Sequence, residues 1–167
     1  MLVVVAVAGC TRTLPVRREK PPTGNVPVVD HVVVHKAERR LLLMHGHDVV
    51  RSYHVSLGLN PTGPKERSGD ARTPEGTYRL EGHNSRSAYF LAIKLSYPNE
   101  ADLAHARSHH WDPGSQIMIH GLPNELKGTP RYYETHDWTD GCIALSNADM
   151  AELWNLAPDH LRIDILP

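Results

Sequence analysis

Apolar and polar positions alternate with a period of two over several short stretches of this chain, a pattern that predicts strands packed on one face. Val28 to His35 and Arg39 to His45 are aliphatic or β-branched runs separated by the polar Lys36-Ala37-Glu38, which predicts a hairpin. Val49 to Leu57 alternates as a third strand, and Gly58 to Thr73 follows as a loop rich in glycine and proline. Tyr78 to Glu81, Tyr89 to Ser96, Gln116 to His120 and Arg162 to Leu166 complete the strand candidates. Helical periodicity is scarce. Asn99 to Arg107 suits a short helix, and Ser146 or Asn147 can cap another in which Met150, Leu153, Trp154 and Ala157 share one face. The expected architecture is therefore a mainly β domain carrying one or two short helices.

The first 27 residues break from this pattern. Leu2 to Gly9 is a run of apolar or small residues ending Val7-Ala8-Gly9 before Cys10. It is too short to span a bilayer, which takes about 20 residues. It resembles a bacterial lipoprotein signal over residues 1–10, in which Cys10 is acylated and becomes the first residue. No basic residue precedes it, so the expectation is a start further upstream or a poor signal; a buried strand with an incidental cysteine is the competing reading. Residues 11–27 contain Pro15, Pro21, Pro22 and Pro27 and lack periodicity, which reads as a linker. Extended at about 3.1 Å per residue, it would reach on the order of 50 Å from an anchor. Residues 28–167 then form the folded domain.

Charge narrows the partners. The formal net charge of −1 offers no strongly basic face for nucleic acid. Arg12, Arg17, Arg18 and Lys20 against Glu19 make the linker basic and leave the domain mildly acidic. There are 2 cysteines, so a disulfide would have to join Cys10 to Cys142, and acylation of Cys10 forbids it. Cys142 is then a lone thiol in an exported protein, a pattern that reads as reactive.

His120-Gly121 closes the apolar run from Gln116, so this histidine is expected at a strand end, where a sheet holds a reacting group rigidly. Cys142 follows Asp140-Gly141. A glycine before a nucleophile lets the backbone turn sharply and frees amide N–H groups to face a developing oxyanion. The pair suits Cys-His acyl transfer.

Ile119-His120-Gly121 followed by Trp138-Thr139-Asp140-Gly141-Cys142-Ile143-Ala144-Leu145-Ser146-Asn147 resembles the signature of the L,D-transpeptidase catalytic domain, the YkuD-like family. Gly69 to Gly76 and Tyr97-Pro98-Asn99 with Asp102 also resemble its periplasmic murein-processing branch, so the resemblance covers roughly residues 28–167. It implies a β-sandwich with a capping helix and a cofactor-free, metal-free reaction on peptidoglycan stem peptides. Cys142 would attack the carbonyl of the third stem residue, usually meso-diaminopimelate, and expel the D-alanine after it. His120 would be the base, oriented by the Gly121 carbonyl. Backbone N–H groups of Cys142, Gly141 and Asp140 would hold the oxyanion. An amine resolving the thioester gives transfer, and water gives a carboxypeptidase or amidase. The location implied is the periplasm or cell envelope, with a membrane anchor on Cys10. A wall-binding protein without activity is the alternative of another class.

Two departures stand out. Many members carry a second histidine before the glycine and an arginine two residues after the cysteine; here those positions are Asp140 and Ala144. A long insert, Leu122 to Asp140, also separates His120 from Cys142, and such loops are usually functional. Lowering a thiol pKa from about 8.5 to about 6 multiplies the thiolate roughly 30-fold, but a Brønsted slope near 0.45 costs roughly tenfold in nucleophilicity. Acid–base catalysis, worth about 10² to 10⁴, is the larger demand on His120.

Other residues keep two readings. Trp138 and Tyr133 line the substrate groove or form the insert's own small core, and Arg131 can meet substrate carboxylates. Arg72 can bind a stem-peptide carboxylate, although a salt bridge is the plainer role. Asp70, Glu75, Asn99 and Asp102 read as turn or cap residues. His45 with His47 and His109 with His110 lack a third ligand of recognisable spacing, and a zinc site joining His120 and Cys142 to Asp137 or His136 is set aside because the family pattern explains the same residues with more of the chain.

Overall fold

The computed structural model describes residues 27–167; Cys10, the signal segment and the linker up to residue 26 lie outside the described residues. The described chain runs β1 (His31–His35), β2 (Arg40–His45), β3 (Asp48–His54), β4 (Gly76–Asn84), β5 (Ala92–Leu95), α1 (Glu100–Ser108), β6 (Met118–His120), α2 (Pro130–Thr135), β7 (Ile143–Ala144), α3 (Asn147–Leu156) and β8 (Arg162–Leu166). The strands hydrogen-bond in the order β3-β2-β1-β8-β4-β5-β6-β7.

The predicted hairpin forms because Val32 and Val34 alternate inward with no exposure, as do Leu41 and Leu43 opposite them. Lys36-Ala37-Glu38 makes the turn, closed by Arg39 at a φ of 54°. β8 lies parallel to β1, with Ile163 and Ile165 facing the same core. β4 is longer than its apolar run suggests. It pairs with β8 through Gly76 to Arg79 and with β5 through Leu80 to Asn84, and its register shifts between Leu80 and His83. Gly82, at a φ of 97°, takes the positive backbone angle inside that irregularity. One strand thus bends from one half of the sheet into the other.

The two outer ends of the strand order then meet. Just beyond β3, Ser56 bridges Ala144 of β7, with N–H···O distances of 2.9 and 2.8 Å. The sheet curls around Leu41, Leu57, Leu80, Ile93, Ile119, Ile143 and Ile163, all fully buried. This is the mainly β architecture the residue pattern implies, with the sandwich-like curl the family resemblance implies.

α1 starts at Asn99, whose side chain accepts from the amides of Ala101 and Asp102 while Asp102 returns a bond to the Asn99 N–H. α3 is capped by Ser146, and Met150 and Leu153 bury its inner face. A third helix departs from the expectation of one or two. α2 sits within the insert, where Pro130 opens it, Thr129 makes no side-chain cap bond and no residue is buried. Six residues without an apolar face or a cap carry no periodic signal, so the insert reads as a plain loop in sequence.

Candidate active site

The site forms where β6 and β7 run parallel, with Ile119 paired to Ile143 and His120 to Ala144. Each of these buried isoleucines contributes about 1.5–3 kcal/mol of burial, so the two strand ends hold a fixed separation. His120 closes β6 and is 4% exposed. Its Nδ1 lies 2.7 Å from the Gly121 carbonyl oxygen. A carbonyl only accepts, so Nδ1 carries the proton and Nε2 keeps its lone pair. Burial lowers the His120 pKa below the ordinary histidine value, opposed by that Gly121 bond, and the ring is neutral at pH 7.

Cys142 is half-buried at the entry to β7, and its Sγ donates to the Gln116 carbonyl at 3.6 Å. Burial raises the thiol pKa, and the Asp140 carboxylate adds to this; the Met118 N–H and the Lys65 ammonium oppose it. The structure therefore holds a neutral thiol and a neutral imidazole. Both open into one cavity of about 250 Å³, walled by Ser87, Tyr89, Gln116, Met118, Trp138, Thr139 and Asp140.

The turn into Cys142 is tied at Thr139, whose hydroxyl donates to the Cys142 carbonyl at 2.8 Å and accepts from the Gly141 N–H at 3.1 Å. The Gly141 amide, expected to face the oxyanion, is thus engaged by Thr139. Gly141 adopts a φ of 130°, and a β-carbon there would lie 2.5 Å from the Arg72 carbonyl oxygen. Only glycine permits both that angle and that approach.

Aromatic rings frame the imidazole. Tyr89 lies 4.6 Å from His120 between ring centroids, and Trp138 meets His120 edge-on at 5.6 Å. Tyr133 packs edge-on against Trp138 at 5.0 Å and accepts its indole N–H on the backbone carbonyl at 3.0 Å. Beyond the Tyr89 and Trp138 pair lies a second cavity of about 520 Å³, lined also by Tyr133, Glu125 and Lys127.

The remaining sequence-selected residues lie elsewhere. Arg131 is exposed on α2. The Arg72 guanidinium turns to Glu66 at 3.2 Å and to the Pro64 carbonyl at 3.3 Å, outside the walls of the Cys142 cavity. His136 stacks on Tyr132 at 4.7 Å, and Asp137 binds Arg39 at 2.7 Å and the Leu57 amide at 2.9 Å. Among the described residues, no group of three or more His, Cys, Asp or Glu is arranged to hold a metal ion.

Sequence reasoning missed Tyr89, whose approach to His120 is made by the pairing of β5 with β6. It also missed the second role of Asn147: its Oδ1 accepts the Leu122 N–H at 2.8 Å and pins the chain just after His120. Neither contact has a signal in residue spacing.

The family model for the L,D-transpeptidase catalytic domain, YkuD, matches residues 29–165. The chain belongs to this family. An Escherichia coli (strain K12) protein described as "Putative L,D-transpeptidase YafK" is 33% identical over 156 residues, 89% of this chain and 55% of that protein. The chain thus spans about half the length of the curated relatives it matches. Among solved structures, the helical cell shape determining protein Pgp2 from Campylobacter jejuni superposes with a TM-score of 0.59 at 23% identity, over 86% of this chain and 51% of that chain. An L,D-transpeptidase from Xylanimonas cellulosilytica gives 0.57 at 20%, over 87% and 64%. At these identities the two structures establish the shared L,D-transpeptidase fold.

Proposed function

We propose that this chain is a cysteine-dependent L,D-transpeptidase that acts on peptidoglycan stem peptides through a thioester on Cys142. The observation that carries this reading is the shared cavity, into which a buried neutral imidazole and the half-buried thiol both open. Membership of the L,D-transpeptidase family supports the substrate class.

In this mechanism Nε2 of His120 takes the thiol proton as sulfur attacks the carbonyl of the donor stem peptide. The oxyanion turns toward the backbone amides from Asp140 to Cys142. Gly141 first has to release the Thr139 hydroxyl, so Asp140 and Cys142 are the primary donors. Collapse expels the amine of the terminal residue, which takes the proton from His120. A second amine then attacks the thioester and gives its proton to Nε2, which passes it to the departing sulfur to restore the free thiol and the neutral imidazole. Trp138 and Tyr133 wall the approach, and Arg131 meets stem-peptide carboxylates from α2. Arg72 keeps its salt bridge to Glu66.

Incubation with purified tetrapeptide muropeptides and mass analysis of the products tests the reading. Cross-linked or amine-exchanged products establish transfer. Tripeptide alone establishes hydrolysis by the same site, and an unchanged substrate leaves a wall-binding protein. The mature protein is proposed to begin at an acylated Cys10 and to act from a membrane in the periplasm or cell envelope. Two or more acyl chains give stable anchoring where one gives only marginal binding. Soluble protein with an unmodified Cys10 would contradict that location.

A further inference from the structure

Two backbone segments flank the turn that carries Cys142. On one side, Gly114 to Gln116 offers the Gln116 carbonyl that accepts the S–H. On the other, the Arg72 carbonyl lies against Gly141, the residue before the nucleophile. One ion pair reaches both. Lys65 and Asp70 meet at 2.6 Å with side chains 4% and 8% exposed. The Asp70 carboxylate also accepts from the amides of Glu66, Arg67 and Arg72 at 2.8, 3.0 and 3.1 Å. The stem of Lys65 packs over Gly114, where an added β-carbon would sit 3.6 Å from its Cε, and the neighbouring Ser68 N–H donates to the Asp112 carbonyl at 2.7 Å.

A buried ion pair is a poor stabilising device, because desolvation offsets most of its attraction. We propose that the Lys65–Asp70 pair is a positioning device for Cys142, fixing the two segments that flank the turn carrying it. The inference rests on Cys142 being the nucleophile. Lys65 also pulls the Cys142 thiol down against the effects of burial and Asp140. Burial pushes the Asp70 carboxyl up, yet Lys65 and the three amides outweigh it and hold it at about 2, so the carboxylate stays ionised at any working pH.

The test compares the whole protein with Lys65→Gln, Lys65→Arg and Asp70→Asn. The Cys142 thiol pKa is read from the pH dependence of iodoacetamide alkylation at the Cys142 peptide, alongside kcat and KM on tetrapeptide muropeptides. Lys65→Gln should raise the thiol pKa and lower kcat at pH 7 about tenfold with KM within about twofold, because removing the cation destabilises the thiolate. Lys65→Arg should restore kcat to within about threefold of wild type. Asp70→Asn should lower the thiol pKa, since a carboxylate leaves, while still reducing kcat by releasing the Arg72 side of the turn. Opposite pKa shifts with a common loss of kcat are a pattern that mere loss of packing does not produce. A thiol pKa that stays at the wild-type value in folded Lys65→Gln and Asp70→Asn, or moves the same way in both, overturns the proposal. Should Lys65→Gln not fold, a thiol pKa in Asp70→Asn at or above wild type overturns it alone. Failure of the functional reading shows separately, as turnover that survives Cys142→Ala.

Discussion

The imidazole of His120 donates through Nδ1 to the carbonyl of the next residue, Gly121, at 2.7 Å, and this bond selects the tautomer of the ring. Nε2 is left as a proton acceptor with Tyr89 and Trp138 at its flanks. A glycine is required at position 121. A β-carbon there would lie 2.6 Å from Asn147 Oδ1 and 2.9 Å from Phe90 Cβ. Backbone packing thus orients the proposed base, with a main-chain carbonyl as the Nδ1 partner among the described residues.

The pH dependence follows from that pair. Burial lowers the His120 pKa and raises that of Cys142, so the neutral form of both persists from below about 6.5 to above about 9. The base works only when neutral, so kcat/KM should rise with pH through a single step below about pH 6.5 and stay level to about pH 9. The same lowered pKa costs folding stability as pH falls through about 6.5, since the unfolded chain then binds the proton more readily. A pH–rate profile with parallel thermal melts checks both. A thiol that titrates below pH 7 would indicate a preformed ion pair and contradict the neutral resting state.

Gly141→Ala should destabilise the protein by about 1–3 kcal/mol and lower activity well beyond the loss of folded material. The added methyl meets the Arg72 carbonyl, so relief requires moving the turn that carries Cys142. Denaturant melts and kcat on the folded fraction separate the two effects. Wild-type stability and kcat would mean that the turn relaxes freely.

The insert from Leu122 to Asp140 should govern acceptor choice. It is fastened near its C-terminal end, where the Tyr133 carbonyl accepts from the Ser56 hydroxyl and from Trp138, and Asp137 holds Arg39. Glu125 and Lys127 line the larger cavity beside the site. Shortening Glu125 to Gly128 leaves those fastenings in place and should raise KM or change the ratio of hydrolysis to transfer, while the melting transition is kept. Product analysis on muropeptides with two different acceptor amines checks it. Unchanged kinetics and product ratio would reduce the insert to a connection.

Much of the fold was legible because burial follows alternation: Val32, Val34, Ile163 and Ile165 face inward while their neighbours stay more accessible. Ser146 and Asn99 were legible as caps by the same local logic. His120 and Cys142 stood out through the residues around them, although no spacing rule brings them into one cavity; the parallel pairing of β6 with β7 does. α2 was hidden because Pro130 to Thr135 buries nothing. Asp70 reads as a turn or cap residue, and nothing in residue spacing marks Lys65 as its partner. Their ion pair joins two residues of one loop and is buried by the packing around it, which leaves no periodic trace.

The central claim is that Cys142 forms a thioester with the donor peptide. Rapid acid quenching of the enzyme with a tetrapeptide muropeptide, followed by intact mass and peptide mapping, tests it most directly. The account predicts an adduct equal to the donor minus its terminal D-alanine, mapped to Cys142, absent in Cys142→Ala and unaffected by chelators. Turnover that persists in Cys142→Ala, or that EDTA abolishes and zinc restores, would contradict it.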